Sequence, residues 1–203
     1  RQLQFIQDAK LGYDTSSVVV VPELWALGKK VEVFRQQLAQ DTRVISASYS
    51  GYLPAGRSYN NNFFLTPSHD NTQMVKTLRY DVDEHYLPTL NMKLVAGRNF
   101  SSEMATDSSG IILNETSAQA FGWEGEEALG QQVVYANNEG QRTSYQVLGV
   151  VEDFHFKSLH EQISPLVMVL GGGSGAAILK VQTSDVATLL ADLKDRWTTL
   201  TSE

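Results

Sequence analysis

Val147-Leu-Gly-Val-Val-Glu-Asp-Phe-His-Phe-Lys-Ser-Leu-His-Glu161 is the stretch whose reading decides the fold. Val147 to Val151 is apolar apart from Gly149, the pattern of a strand buried on both faces. Glu152 and Asp153 then turn the chain polar. Phe154 and Phe156 keep one face apolar, while His155 and Lys157 point the other way. Pro165 closes the connection, and Leu166 to Leu170 begins a second apolar run. A core strand leaves the interior, crosses the surface and returns, so the upstream chain must supply a sheet for it to join.

The upstream chain is patterned for that task. Val18 to Val21 is four β-branched residues in a row, read as a buried strand. After Pro22, Leu24, Leu27, Val31, Phe34 and Leu38 recur at steps of three and four and predict a helix, followed by a strand over Arg43 to Tyr49. This order suggests a split βαβ unit. Met74, Leu78, Tyr80 and Val82 alternate with Val75, Thr77, Arg79 and Asp81, predicting a half-buried strand. Asp83 is placed to cap a short helix reaching about Leu90, and Asn114 to cap one ending at Phe121-Gly122. Asn137-Asn-Glu-Gly140 between two strands is a hairpin signal. Near the end, strands Leu166 to Leu170 and Ala177 to Gln182 are expected to flank a glycine loop as a hairpin. An amphipathic helix then carries Val186, Leu189, Leu190, Leu193, Trp197 and Leu200 on one face. Arg1 to Lys10 reads as a frayed helix.

Composition narrows the function. The 203 residues allow one large domain or two small lobes, and 42% hydrophobic residues allow an ordinary core. A net charge of -7 opposes nucleic-acid binding, which calls for a clustered basic surface, and also argues against docking on anionic lipid. There is no cysteine, which removes thiolate metal sites, disulfides and cysteine nucleophiles. No run approaches the roughly 20 apolar residues of a membrane span.

Motifs for chemistry are weak. Gly171-Gly-Gly-Ser-Gly175 lacks the Gly-Lys-Ser/Thr ending of a phosphate loop, and Ala176 stands where a nucleophile elbow needs glycine. His69, His85, His155 and His160 lack metal-ligand spacing. Asp81, Asp83 and Glu84 lack the alternation of a calcium loop, and Glu124, Glu126 and Glu127 read as a solvated turn. The better candidate is the aromatic, asparagine-rich stretch from Tyr49 to Phe64. Within it Tyr52, Tyr59, Asn60, Asn61 and Asn62 are the candidate partner-contact residues, because exposed Tyr and Asn suit adaptable contacts with protein or sugar.

Several blocks, in order, resemble the periplasmic core domain of MacB/FtsX-type ABC transporter permeases. They are Leu11-Gly-Tyr-Asp14, Tyr86-Leu-Pro-Thr-Leu-Asn-Met-Lys-Leu-Val-Ala-Gly-Arg-Asn-Phe100, Ile111-Ile-Leu-Asn-Glu-Thr-Ser-Ala118, and Gly149 to Glu161 with Pro165 beyond. The last is most similar to the second copy in large permeases that carry this domain twice. The resemblance implies an α+β fold of two lobes. A βαβ-type, porter-like, membrane-proximal lobe would be built from residues 1–57 and 147–203, with segments 18–49 and 147–200 sharing one sheet. A β-rich, sabre-like distal lobe, residues 58–146, would be inserted between them. It also implies a non-catalytic domain on the periplasmic side of the bacterial inner membrane, tethered by flanking membrane helices, with no cofactor and no metal. A separate cytoplasmic ABC ATPase would drive it through the full-length permease, and it would pass conformational change to a periplasmic substrate, protein or lipoprotein. From the residues alone, a periplasmic ligand-binding or sensor module recognising peptide or sugar stays open as the alternative.

Overall fold

The computed structural model describes residues 4–5, 18–51, 62–69, 72–154, 163–171, 175–183 and 185–202. The run Val147–Val151 is the second half of a ten-residue strand, β9 (Arg142–Val151). It is shared among three partners. Its first half pairs antiparallel with β8 (Gln132–Ala136). Its second half lies between β7 (Gly110–Asn114), which is parallel, and β6 (Leu94–Gly97), which is antiparallel. Opposite β7 the register slips: Ile111 faces Val147, but Ile112 faces Gly149. The extra residue, Leu148, is a bulge, and it changes which side chains point where. Tyr145, Val147 and Val150 enter one core, while Leu148 and Val151 face another.

The larger sheet runs β6, β9, β7, β10 (Leu166–Leu170), β5 (Val75–Val82), β4 (Asn62–Pro67), β8. Because β8 also pairs with β9, the strands from β9 round to β8 form a closed ring, and β6 adds to it outside the closure. Closure leaves fewer open edges. The ring is filled by Phe63, Leu65, Val75, Ile111, Leu113, Val133, Tyr145, Val147, Val167 and Val169. To this core α3 (Glu115–Ala120) adds Ala118, and Phe121 and Trp123 follow as a stacked pair with centroids 4.9 Å apart.

The smaller sheet is ordered β1 (Gln4–Phe5), β2 (Val18–Pro22), β11 (Ala176–Val181), β3 (Val44–Ser50). β2 leads through helix to β3, and β11 inserts antiparallel between them. This is the split βαβ arrangement the sequence suggests. Period-two alternation sorts its side chains. Val19, Val21, Ala177, Leu179 and Val181 face a helical layer of α1 (Val31–Ala39) and α4 (Val186–Ser202), while Val18, Val20, Ala176 and Ile178 face the larger sheet. There they join Tyr80, Val82, Ile112, Val151, Leu166 and Met168, together with Tyr86 and Leu87 of α2 (Tyr86–Thr89). The two sheets thus enclose one common apolar core. On the outer side, Asp41 accepts bonds from Arg43 and Arg196, and Arg43 also reaches Asp192, pinning α4 to the turn before β3.

Several expectations need correction. The predicted helix at the start lies outside the described residues except for Gln4–Phe5, whose backbone is an edge strand on β2. Segments 18–49 and 147–200 do not share one sheet: Val147–Val151 and Leu166–Leu170 pair in the larger sheet, and only β11 joins β2 and β3. An apolar run shows that a strand is buried but not which neighbours bury it. For the same reason Gly171 to Gly175 does not close a hairpin. β10 and β11 belong to different sheets, and Gly172 to Ser174 lie outside the described residues. The helix after Pro22 is not one regular helix: a 3-10 segment, Leu24–Lys30, kinked internally at Gly28 (φ 53°, ψ -125°), precedes α1. β5 is half-buried as expected, but its buried face switches midway: Val75 and Thr77 face the ring, while Tyr80 and Val82 face the common core. Trp197 is half-buried, set edge-on against Phe34 at 5.8 Å.

Gly97 and Gly149 face each other across the β6–β9 pair. A Cβ on Gly97, whose φ is +73°, would lie 2.2 Å from the Leu148 carbonyl oxygen, and one on Gly149 would lie 2.6 Å from that of Arg98. Backbone cannot yield as a side-chain tip can. Gly97→Ala is therefore expected to cost about 2–4 kcal/mol, measured by denaturant unfolding. A variant as stable as the parent would show that β6 does not approach β9 this closely.

Candidate functional site

Of the five candidate contact residues, Tyr52, Tyr59, Asn60 and Asn61 lie outside the described residues. Asn62 opens β4, exposed, opposite Leu78 of β5. The aromatics around the stretch divide. Phe63 is buried, Phe64 is 42% exposed, and Tyr49 is half-buried beneath the Arg35 guanidinium at 4.1 Å. Burial pushes the Tyr49 phenol up to about 12.

The strand that leads into this stretch is held by a row of hydroxyls. Ser46, Ser48 and Ser50 are two apart on β3 and so share a face. The Ser46 and Thr89 hydroxyls are 2.6 Å apart. Ser48 Oγ donates to Asp83 Oδ1 at 2.6 Å, and the Tyr49 amide donates to Asp83 Oδ2 at 2.7 Å. Ser50 Oγ donates to the Asp81 carbonyl at 2.9 Å. Ser48 and Ser50 are fully buried, so these bonds replace lost water and fix β3 against β5 in one register. Asp83 also receives the His85 amide at 3.2 Å, but contrary to expectation it does not cap α2: the N-cap is His85, with no side-chain cap, because the Asp83 carboxyl is taken up by the seam.

The motif residues behind the family resemblance prove to be joints. Asp153, just past β9, accepts from Asn114 Nδ2 (2.8 Å), the Thr116 amide (3.0 Å) and Thr116 Oγ1 (2.6 Å). Asn114 caps α3 by accepting the Ser117 amide, and with the same Oδ1 it accepts the Leu166 amide that opens β10. The exit of β9, the start of α3 and the start of β10 therefore meet at two side chains. Arg98 holds Asp107 with two bonds of 2.7 Å, and the Ser101 amide adds a third at 2.8 Å. The Arg98 guanidinium, beside a fully buried carboxyl, holds Asp107 below the usual carboxylate range. Phe100 enters the common core.

The remaining acids have structural partners too. Glu84 accepts both the amide and the hydroxyl of Ser102. Glu124 and Glu127 form a capping box around the turn Gly125–Ala128. Among the described residues no three His, Asp or Glu side chains gather as metal ligands. A surface groove of about 370 Å³ beside β6 is lined by Val95, Glu115, Gln119, Trp123 and Glu124, with the Trp123 ring largely buried. No described helix is long and apolar enough to cross a membrane.

A ring-closed sheet packed on a split βαβ sheet, joined by hydrogen-bonded turns, defines the class: a mixed α+β module. Residues 9–199 match the MacB-like periplasmic core domain family, and the chain belongs to that family. It is therefore the periplasmic core domain of a MacB-like ABC transporter permease, on the periplasmic side of the inner membrane. The fold is similar to the periplasmic region of MacB from Actinobacillus actinomycetemcomitans, with a TM-score of 0.63 at 15% identity over 95% of this chain and 86% of that one. It is similar also to the extracellular domain of the noncanonical ABC-type transporter YknZ from Gram-positive bacteria (0.54, 12%, 81% and 82%). A domain of a putative permease protein from Porphyromonas gingivalis gives 0.52 at 13% identity, over 79% and 74%. No curated protein sequence matches the chain.

The serine row carried a sequence signal, its period of two, that composition-based reading passes over. The Arg98–Asp107 pair carried none, since a separation of nine positions encodes no geometry. It has a pH signature. A carboxylate held below its ordinary value of about 3.9 adds stability above that pH, and the contribution is lost as pH falls through the folded value. Asp107→Asn should therefore flatten the acid limb of stability against pH, read by thermal melts below about pH 4. An unchanged acid limb would assign acid sensitivity to other carboxylates.

Proposed function

We propose that this domain is a non-catalytic transmission element. It takes up conformational change that a separate cytoplasmic ATPase generates in the permease, and delivers it to a periplasmic substrate, protein or lipoprotein. The observation that supports this reading best is the common core between the two sheets, bordered by the Ser46, Ser48 and Ser50 seam. A displacement applied to one sheet is carried to the other because packed cores shift as units rather than deform continuously.

In this reading the lobe on the four-stranded sheet is membrane-proximal. Gln4–Phe5 at its edge and α4 on its face bring both described ends of the chain to that layer. Flanking helices tether it to the inner membrane. The ring-closed lobe is distal, and it takes in β10 and the end of β9 beyond the boundaries suggested by sequence, 58–146 for the distal lobe and 1–57 with 147–203 for the proximal one. Partner contact is assigned to the distal lobe and the stretch Tyr52, Tyr59, Asn60, Asn61, Asn62. The motif side chains serve as joints, as a force-bearing module requires, and the reading calls for no cofactor.

The test uses the full-length permease reconstituted with its ATPase. A fluorophore at position 62, introduced as a non-canonical amino acid, is monitored by energy transfer to acceptor lipids. A Ser46→Cys/Thr89→Cys disulfide ties β3 of the smaller sheet to α2, which follows β5 of the larger one, in a domain that has no other cysteine. ATP is expected to change the transfer efficiency, and the change should survive oxidation of the pair. A signal that ATP leaves unaltered argues against transmission. A change abolished by oxidation and restored by reductant argues that the lobes move against each other.

A further inference from the structure

The 3-10 helix Leu24–Lys30 buries Leu24 and Leu27 beneath it, yet leaves Trp25 63% exposed, the largest aromatic surface among the described residues. Folding does not require a tryptophan there. Lys29, four residues on and past the kink at Gly28, is exposed, and Leu24 to Val31 holds two lysines and no acid, although the chain carries -7 overall. Glu23 and Glu32 flank it, and Glu32 lies 3.9 Å from Arg35.

A second feature adjoins it. Lys30 Nζ donates to the Leu200 carbonyl at 2.9 Å, joining this helix to the last turn of α4. That turn exposes Thr198, Thr199 and Thr201, and each hydroxyl donates to the carbonyl four residues back, at 2.8, 2.9 and 3.0 Å. Threonines with their hydroxyls folded onto the helix present methyl groups outward. Arg196 to Ser202 contains no acid, and Arg196 is engaged with Asp41. A turn of this kind suits surroundings of low polarity better than bulk water.

We propose that the surface formed by Leu24–Lys30 and the last turn of α4 rests on the bilayer. Trp25 lies at headgroup depth, and Lys29 and Lys30 lie over anionic phosphates. An amphipathic indole beside lysines is the chemistry of a membrane–water interface. Screening confines the repulsion of the domain's remote acids to about 10 Å, and close by Lys29, Lys30 and Arg35 outnumber Glu23 and Glu32. The inference rests on the permease reading, which puts this domain beside a membrane, and it adds the face by which the domain bears on it.

The experiment holds the chain, by a C-terminal hexahistidine tag, on vesicles that contain nickel-chelating lipid, anionic phosphatidylglycerol and brominated lipid. Tethering removes weak affinity as an explanation for a missing signal. The expected result is quenching of tryptophan fluorescence that is lost in Trp25→Ser. It should be diminished in Lys29→Glu and when the anionic lipid is replaced by phosphatidylcholine. Both substituted positions are exposed, and unchanged melting temperatures would confirm that the variants fold. No quenching of the wild type, or equal quenching in Trp25→Ser, overturns the proposal. If that happens while ATP-driven displacement of position 62 persists, the bilayer contact falls and the permease reading stands.

Discussion

The architecture depends on the carboxylate of Asp83. It stands where β5 leaves the larger sheet and receives a hydroxyl and an amide from the last turns of β3 in the smaller one. Bonds to a charged acceptor contribute about 1.5–3 kcal/mol each, and a buried partner left unmade costs a similar amount. Apolar packing between Val18, Val20, Ile178 and the facing Tyr80, Val82 and Met168 supplies most of the attraction, but such packing is non-directional. The seam supplies the direction. With Ser46 on Thr89 and Ser50 on the Asp81 carbonyl it admits one alignment of the sheets, because a slip of one residue along β3 would turn every serine away.

β9 sets the other constraint. One strand pairs with β8, β6 and β7, closes a ring and also contributes to the core shared with the smaller sheet. A regular strand presents alternate residues to fixed sides, so Val147 and Val151 would share a side. The bulge at Leu148 separates them, one to each core. The close approach of β6 at Gly97 and Gly149, and the Asp153–Asn114 joint just beyond, fix where the strand must end. The family motifs fall at these points. They record the geometry of a scaffold.

Much of this was legible locally. The four valines of β2, the hairpin at Asn137–Gly140, the cap at Asn114 and the amphipathic face of α4 are set by neighbours in sequence, where periodicity and capping chemistry act. Partner choice was not legible. Val147–Val151 and Leu166–Leu170 are apolar enough for either sheet, and the decision rests on long-range pairing with β7 and β5. The site was legible in less detail than the fold. Asn62 lies exposed, and the roles of Ser48, Asp83, Arg98 and Asp107 arise only when residues 9 to 35 positions apart are brought together. The exposed Trp25 was hidden by a sound reading of its helix, since Leu24 and Leu27 account for the pattern without it.

If the common core and its seam make the two sheets one mechanical body, they must also make one cooperative folding unit. Differential scanning calorimetry on the chain tests this directly. The account predicts a single transition whose calorimetric and van't Hoff enthalpies agree. Two resolved transitions, or a calorimetric enthalpy well above the van't Hoff value, would show that the four-stranded and ring-closed sheets melt independently, and would contradict it.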